Sequence, residues 1–129
     1  LELRYDKLEA IESETQIIIF GCGDLGKLVD CYLTLTGRKA VTYADNNSSL
    51  WETRIGQLPV MAPETVVKLF PEGVYIIANV EHFKEIQDQL SKYQVCEEKI
   101  ILCNDYGFFF KHVLLKRTLI SEGDHAGIL

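Results

Sequence analysis

The stretch IIIFGCGDLGK, Ile17 to Lys27, constrains the fold of this chain more than any other part of it. Its leading residues are apolar, consecutive and mostly β-branched, the pattern of a strand buried on both faces of a parallel sheet. Gly21, Gly23 and Gly26 follow at G-x-G-x-x-G spacing, and Leu25, Leu28, Val29, Tyr32 and Leu33 then recur at helical spacing up to a glycine stop at Gly37. The spacing predicts a strand over Thr15 to Phe20, a tight turn, and a helix of about three turns.

The rest of the chain repeats that alternation. Ala40 to Ala44 reads as a second strand closed by the polar cluster Asp45 to Ser49, and Leu58 to Met61 as a short third strand at the sheet edge. Pro63 suits a first helical turn, with Val66, Val67 and Phe70 as the apolar face. Val74 to Ala78 is a fourth strand, Phe83, Ile86, Leu90 and Tyr93 share one face of a further helix, and Lys99 to Cys103 is a fifth strand. The expected architecture is α/β: a three-layer sandwich around a mainly parallel five-stranded sheet of order 3-2-1-4-5. Residues 1–14 form a lead-in helix carrying Leu1, Tyr5, Leu8 and Ile11, residues 15–104 the main domain, and residues 105–129 an apolar C-terminal extension or linker.

The glycine loop has two readings. In one, Gly21 permits the turn, Gly23 lets backbone N–H groups approach a pyrophosphate, and Gly26 lets the helix pack against the strand, with the helix dipole aimed at the phosphates. In the other, the glycines only turn the chain and bind nothing. The strand before the loop and the helix behind it favour the nucleotide. Asp45 adds to this, standing 19 positions beyond Gly26, near the ~20 expected of an acid that bonds a ribose 2′-hydroxyl and repels a 2′-phosphate. Its competing use is to cap a turn with Asn46 and Asn47. Asp24 reads as a helix N-cap.

Bulk properties narrow the function classes. A net charge of −6 and only a short basic cluster, Lys111 to Arg117, argue against nucleic-acid binding. No apolar run is long enough for a membrane span. Cys22, Cys31, Cys96 and Cys103 lack metal-ligand spacing, so neither a zinc site nor a disulfide frame is expected, and a cytoplasmic location fits. The chain starts at Leu1, which suggests a piece of a longer protein.

With the glycine loop, Asp45-Asn46 and the segment Ile55-Gly56-Gln57-Leu58-Pro59-Val60 in view, the region from Gln16 to Asn104 resembles the CoA-binding-like Rossmann group. That group includes the NAD(H)-binding domain of Rex-type repressors and modules of bacterial nucleotide-sugar and polysaccharide biosynthesis proteins. The resemblance implies a small-molecule nucleotide ligand, NAD(H) first, with CoA or a nucleotide sugar as alternatives. It implies a cofactor site made of Gly21, Cys22, Gly23, Asp24, Leu25, Gly26, Asp45 and Asn46, with Asn79 and His82 facing the second half of the ligand. Only the nucleotide module is matched: no winged helix precedes it here, and no hexapeptide-repeat acyltransferase follows.

Catalysis is not expected of the chain alone. No Tyr-x-x-x-Lys pair, Ser-His-Asp set or Walker lysine loop is present. His82 beside Glu81 could donate a proton or simply begin a helix, and Cys22 could be an activated thiol or a small filler. A second function reading is an interaction domain with an empty loop, in which Phe108 to Leu115 forms a dimer surface.

Overall fold

The computed structural model describes residues 5–115, with side chains from Lys7 onward. The elements are α1 (Tyr5–Ala10), β1 (Ile17–Phe20), α2 (Asp24–Leu35), β2 (Ala40–Ala44), β3 (Arg54–Ile55), β4 (Leu58–Met61), α3 (Pro63–Leu69), β5 (Val74–Ile77), α4 (Phe83–Lys92), β6 (Ile100–Leu102) and α5 (residues 106–115). Single 3₁₀ turns occupy Ser48–Leu50 and Glu97–Lys99.

One sheet runs in the order β3-β4-β2-β1-β5-β6. All its pairings are parallel except β3 with β4. The expected order therefore holds for the parallel strands, but the sheet has six strands rather than five. The addition is a hairpin: Arg54 pairs with Pro59 and Ile55 with Leu58 around Gly56-Gln57. Gly56 takes φ +62° while Gln57 stays at negative φ, the pattern of a II′ turn. The Gly-X dipeptide between two apolar residues was the signal for this hairpin. Leu58–Met61 is thus an inner strand, and β3 forms the edge.

The strands alternate their side chains between two cores. Ile17 and Ile19 face Leu25, Val29, Tyr32 and Leu33 of α2, together with Leu8 of α1 and Phe109 and Val113 of α5. Ile18 and Phe20 face Val66 of α3 and Ile86 and Leu90 of α4. A bulge between Ile17 and Ile18 shifts the register against β2, so that Ala40 and Tyr43, three positions apart, reach the same core. These are the three layers. Helix α2 ends where the glycine stop was expected, with Gly37 N–H donating to the Thr34 carbonyl and Arg38 N–H to that of Leu33. The Arg38 guanidinium also donates to the carbonyls of Glu9 and Ile11, pinning the end of α1 beside the end of α2.

The apolar run in α5 divides between inside and outside. Phe109 and Val113 are buried, whereas Tyr106, Phe110 and Leu115 are exposed. Tyr32 meets Phe109 edge to face at 5.5 Å, which joins α5 to the α2 core. The expected sequence positions beyond residue 115 and before residue 5 lie outside the described residues.

Candidate functional site at the strand ends

The chain passes from β1 to β2 on one side and later crosses from β4 through α3 to β5 on the other side of β1, so the carboxyl ends of β1, β2 and β5 open a crevice at a topological switch point. Gly21 N–H extends the sheet by donating to the Ala44 carbonyl at 2.8 Å, and Ala78 N–H does so to Phe20. The chain then turns sharply into α2. Gly21 sits at φ +112°, and a Cβ there would stand 2.6 Å from the Ala78 carbonyl oxygen. A Cβ on Gly26 would lie 2.0 Å from the carbonyl oxygen of Gly21. Both residues are glycine because their own backbone neighbours leave no room.

Gly23 differs. Its φ is −76°, ordinary for any residue, and a Cβ there would meet nothing within 4 Å. The residue is exposed and forms the N-cap of α2 without a side-chain cap. This corrects the N-cap expectation for Asp24, which occupies the first helical position instead, because the chain has already entered helical geometry there. The first helical bond runs from Lys27 N–H to the Gly23 carbonyl, so the N–H groups of Asp24, Leu25 and Gly26 precede the ladder.

Asp45 braces this loop from the end of β2. Its Oδ2 accepts from the Cys22 N–H and from the Cys22 thiol, each at 3.2 Å, and its Oδ1 accepts from Asn47 N–H at 2.8 Å. The turn-capping use and the reach to the glycine loop thus coexist in one carboxylate. The Asp45 carbonyl further accepts from the Trp51 indole at 2.6 Å. Burial, followed by the hydrogen bond and charge of Asp45, pushes the Cys22 thiol from its ordinary 9.0 up to about 12. Cys22 is a protonated donor, the opposite of an activated nucleophile.

Two adjoining clefts flank the switch point. The first, about 310 Å³, is lined by Phe20, Gly21, Asp45, Asn46, Asn79, His82, Glu85 and Ile86. The second, about 460 Å³, lies on the α2 side and takes in Cys22, Gly23, Leu25, Asn47 and Val80. Gly21, Asp45, Asn79 and His82 border both. Of the residues expected at the site, Asp24 and Gly26 line neither cleft: one points outward from the first turn, and the other is packed under Gly21. Asn79 is spent on its own loop, its Oδ1 accepting from Glu81 N–H at 2.9 Å and His82 N–H at 2.6 Å. This shapes the start of α4 and sets His82 at the shared rim, with Nδ1 3.4 Å from Glu85 and Nε2 3.8 Å from Glu81.

Among the described residues no Lys or Arg lines either cleft. An anion held here would therefore rely on backbone N–H groups and the α2 dipole, with Lys27 near enough to Cys22 to lower its pKa slightly against the larger opposing effects. Among the described residues no cluster of His, Cys, Asp and Glu is arranged to hold a metal, and none of the four cysteines forms a disulfide. A larger hollow of about 840 Å³ runs along the edge hairpin and α3, past Trp51, Arg54, Met61 and Leu69, and contains none of the expected site residues.

Sequence reasoning missed Phe20, Glu85 and Ile86. The last two lie one helical turn beyond His82, so extending its spacing along the helix would have found them. Asn46 reaches across to this helix and forms a reciprocal carboxamide pair with Gln89, both bonds 2.8 Å long.

No protein-family model and no curated protein matches the chain. Solved structures do. A Rex-family repressor, RSP, superposes with a TM-score of 0.56 at 17% identity over 89% of this chain and 63% of its own. Its complex with β-NAD+ and operator DNA matches 95% of this chain at the same TM-score and identity. The fold is Rossmann-like. The same Rossmann-like arrangement relates the chain to UDP-D-quinovosamine 4-dehydrogenase from Vibrio fischeri, with a TM-score of 0.50 at 19% identity over 63% of this chain and 73% of that enzyme. Against the repressor complexes, the chain spans 64% of their length. No helix among the described residues is long and apolar enough to cross a membrane.

Proposed function

We propose that this chain is a nucleotide-binding module that takes NAD(H) across the ends of β1, β2 and β5. The pyrophosphate lies over Gly23 on the N–H groups of the glycine loop, a ribose approaches Asp45, and the second half of the ligand extends toward Asn79 and His82. One observation carries the reading: Gly23 is a glycine that no protein atom requires, at the point where a phosphate would need a bare backbone. The structural similarity to a repressor crystallised with β-NAD+ and with β-NADH favours a dinucleotide over CoA. Similarity to the quinovosamine dehydrogenase keeps a nucleotide sugar as the alternative ligand.

The module acts by recognition, as one part of a longer bacterial protein in sugar-nucleotide or polysaccharide metabolism. It binds no nucleic acid, since its net charge is −6. The buried, protonated thiols of Cys22 and Cys103 suit the reducing cytoplasm. Residues 15–104 form the binding unit, with residues 105–129 as its C-terminal extension, of which α5 packs on α2.

Calorimetric titration with NADH, NADPH, CoA and a UDP-sugar tests the assignment. NADH binding that exceeds NADPH binding and weakens in Gly23→Ala is the expected result. Absence of binding by all four ligands would sink it.

A second reading rests on α5, where Tyr106 and Phe110 stack on the outer face at 6.1 Å and Leu115 is also exposed. That face suits a homodimer. Sedimentation of the chain with Tyr106→Lys and Phe110→Lys together is expected to shift a dimer to monomer, and an unchanged mass would dismiss this reading.

A further inference from the structure

We infer that Cys22 competes with the ligand for Asp45: its thiol occupies an acceptor position on the carboxylate that a ribose hydroxyl needs, and so sets how tightly the sugar is held. The inference rests on the NAD(H) reading above and deepens it by naming the residue that tunes the contact.

The acceptor positions of Asp45 are nearly full. An ionised carboxylate offers about four, roughly two on each oxygen. Oδ2 accepts from the Cys22 N–H and from the Cys22 thiol, each at 3.2 Å, and Oδ1 accepts from the Asn47 N–H at 2.8 Å. Cys22 alone therefore fills Oδ2, and one position on Oδ1 stays open. An adenosine ribose carries two neighbouring hydroxyls, 2′ and 3′, and the full diol needs an acceptor from each oxygen.

The three donors differ in how they can yield. Two belong to the backbone: Cys22 follows Gly21, whose own N–H is bonded to the Ala44 carbonyl, and Asn47 closes the turn after β2. Releasing either means moving the chain. The thiol needs only a rotation about the Cα–Cβ bond. It is also a weak donor, so losing its acceptor costs little.

Position and protonation support the exchange. Cys22 and Asp45 line the same 460 Å³ cleft, so the thiol yields at the place where the ligand arrives. Burial first, then the hydrogen bond and charge of Asp45, keeps the thiol protonated up to about pH 12, so it remains a donor throughout. No covalent bond is made or broken: S–H···O gives way to O–H···O. At this position alanine leaves Oδ2 half free, whereas the serine hydroxyl, a stronger donor, holds it more firmly.

NADH and its 2′-deoxyadenosine analogue are titrated calorimetrically against the parent chain, Cys22→Ala and Cys22→Ser, with a thermal melt of each protein. Cys22→Ala is expected to bind NADH about fivefold more tightly than the parent, and Cys22→Ser about fivefold more weakly. The analogue keeps one hydroxyl for the open position on Oδ1, so its affinity should vary by less than about twofold among the three. Tighter binding by a Cys22→Ala protein that melts no higher than the parent is the opposite of what a bracing role gives, since a loosened loop weakens the ligand. NADH binding by Cys22→Ala that is unchanged or weaker, or an equal gain for the analogue, overturns the competition and leaves the NAD(H) reading standing. Should Cys22→Ala not fold, Cys22→Ser decides alone, and NADH binding as tight as the parent's overturns the competition. Absence of NADH binding by the parent removes the NAD(H) reading and the role of Cys22 with it.

Discussion

Gly21 and Gly26 are buried and hemmed in by backbone carbonyls, whereas Gly23 between them is exposed and faces open space. In a sequence the three are indistinguishable members of one motif. Their surroundings separate two demands that the motif merges: the outer pair makes the strand-to-helix turn possible, and the middle residue keeps a surface bare. A strand-to-helix turn that bound nothing would need the first and not the second. The contrast therefore says more about ligand binding than the motif does, and it can be broken by substitution.

The largest effect is expected at Gly26. Because the obstructing atom is a backbone carbonyl oxygen 2.0 Å from the added Cβ, no side-chain rotation relieves Gly26→Ala, and α2 must move off the sheet. A loss of about 4 kcal/mol or more is expected, seen as a fall in Tm of more than about 10 °C. Gly21→Ala adds a left-handed φ to a 2.6 Å approach and should behave in the same way. A melt of Gly26→Ala within a few degrees of the parent would show that the loop is not packed as described.

Gly23→Ala should do the reverse. Its cost in stability is expected to stay within about 1 kcal/mol, that of a weaker N-cap, while NADH affinity falls about tenfold as the methyl group meets the phosphate. If Gly23→Ala destabilised the chain as much as Gly26→Ala, the distinction between the two kinds of glycine would fail.

Asp45 lies between these extremes, since its carboxylate holds the loop and also faces the cleft. Asp45→Asn keeps the shape but halves the acceptor capacity offered to the Cys22 N–H, the Cys22 thiol and the Asn47 N–H. A loss of about 1–2 kcal/mol is expected in urea unfolding. The preference for NADH over NADPH should also disappear, because the charge that repels a 2′-phosphate is gone. A variant that keeps full stability would leave Asp45 with no bracing role.

Much of this was legible in the sequence because the elements involved are governed by local pattern. The buried strands, the glycine turn, the helix stop at Gly37 and the placing of Asp45 all follow from apolar periodicity and residue type. The missed hairpin is a matter of scale: Arg54–Ile55 is two residues long, too short for any period to register. Gln89 was invisible for another reason. It is one more polar residue on an amphipathic helix, and only the three-dimensional meeting of α4 with the end of β2 gives it a partner. The split of α5 into buried Phe109 and Val113 and exposed Tyr106 and Phe110 likewise depends on which face meets α2.

The smallest effect, and the finest test of the buried side of the loop, concerns the thiol between the glycines. In the unfolded chain Cys22 loses its proton near its ordinary 9.0, whereas in the folded chain burial and Asp45 delay this to about 12. Between those values the folded state binds a proton that the unfolded state does not, so stability is full below pH 9 and declines as pH rises toward 12. The buried Cys103 thiol and the Tyr75 hydroxyl, both raised by desolvation, contribute in the same direction. The slope due to one such group is about 1.4 kcal/mol per pH unit at most. Cys22→Ser keeps a donor for Asp45 but has no proton to lose in this range, so its urea midpoints at about pH 8.5, 9.5 and 10.5, one-unit steps around the titration, should fall less steeply than those of the parent. Parallel declines for the two proteins would mean that Cys22 ionises as freely folded as unfolded, and that the Asp45 brace on the buried half of the loop does not hold the thiol.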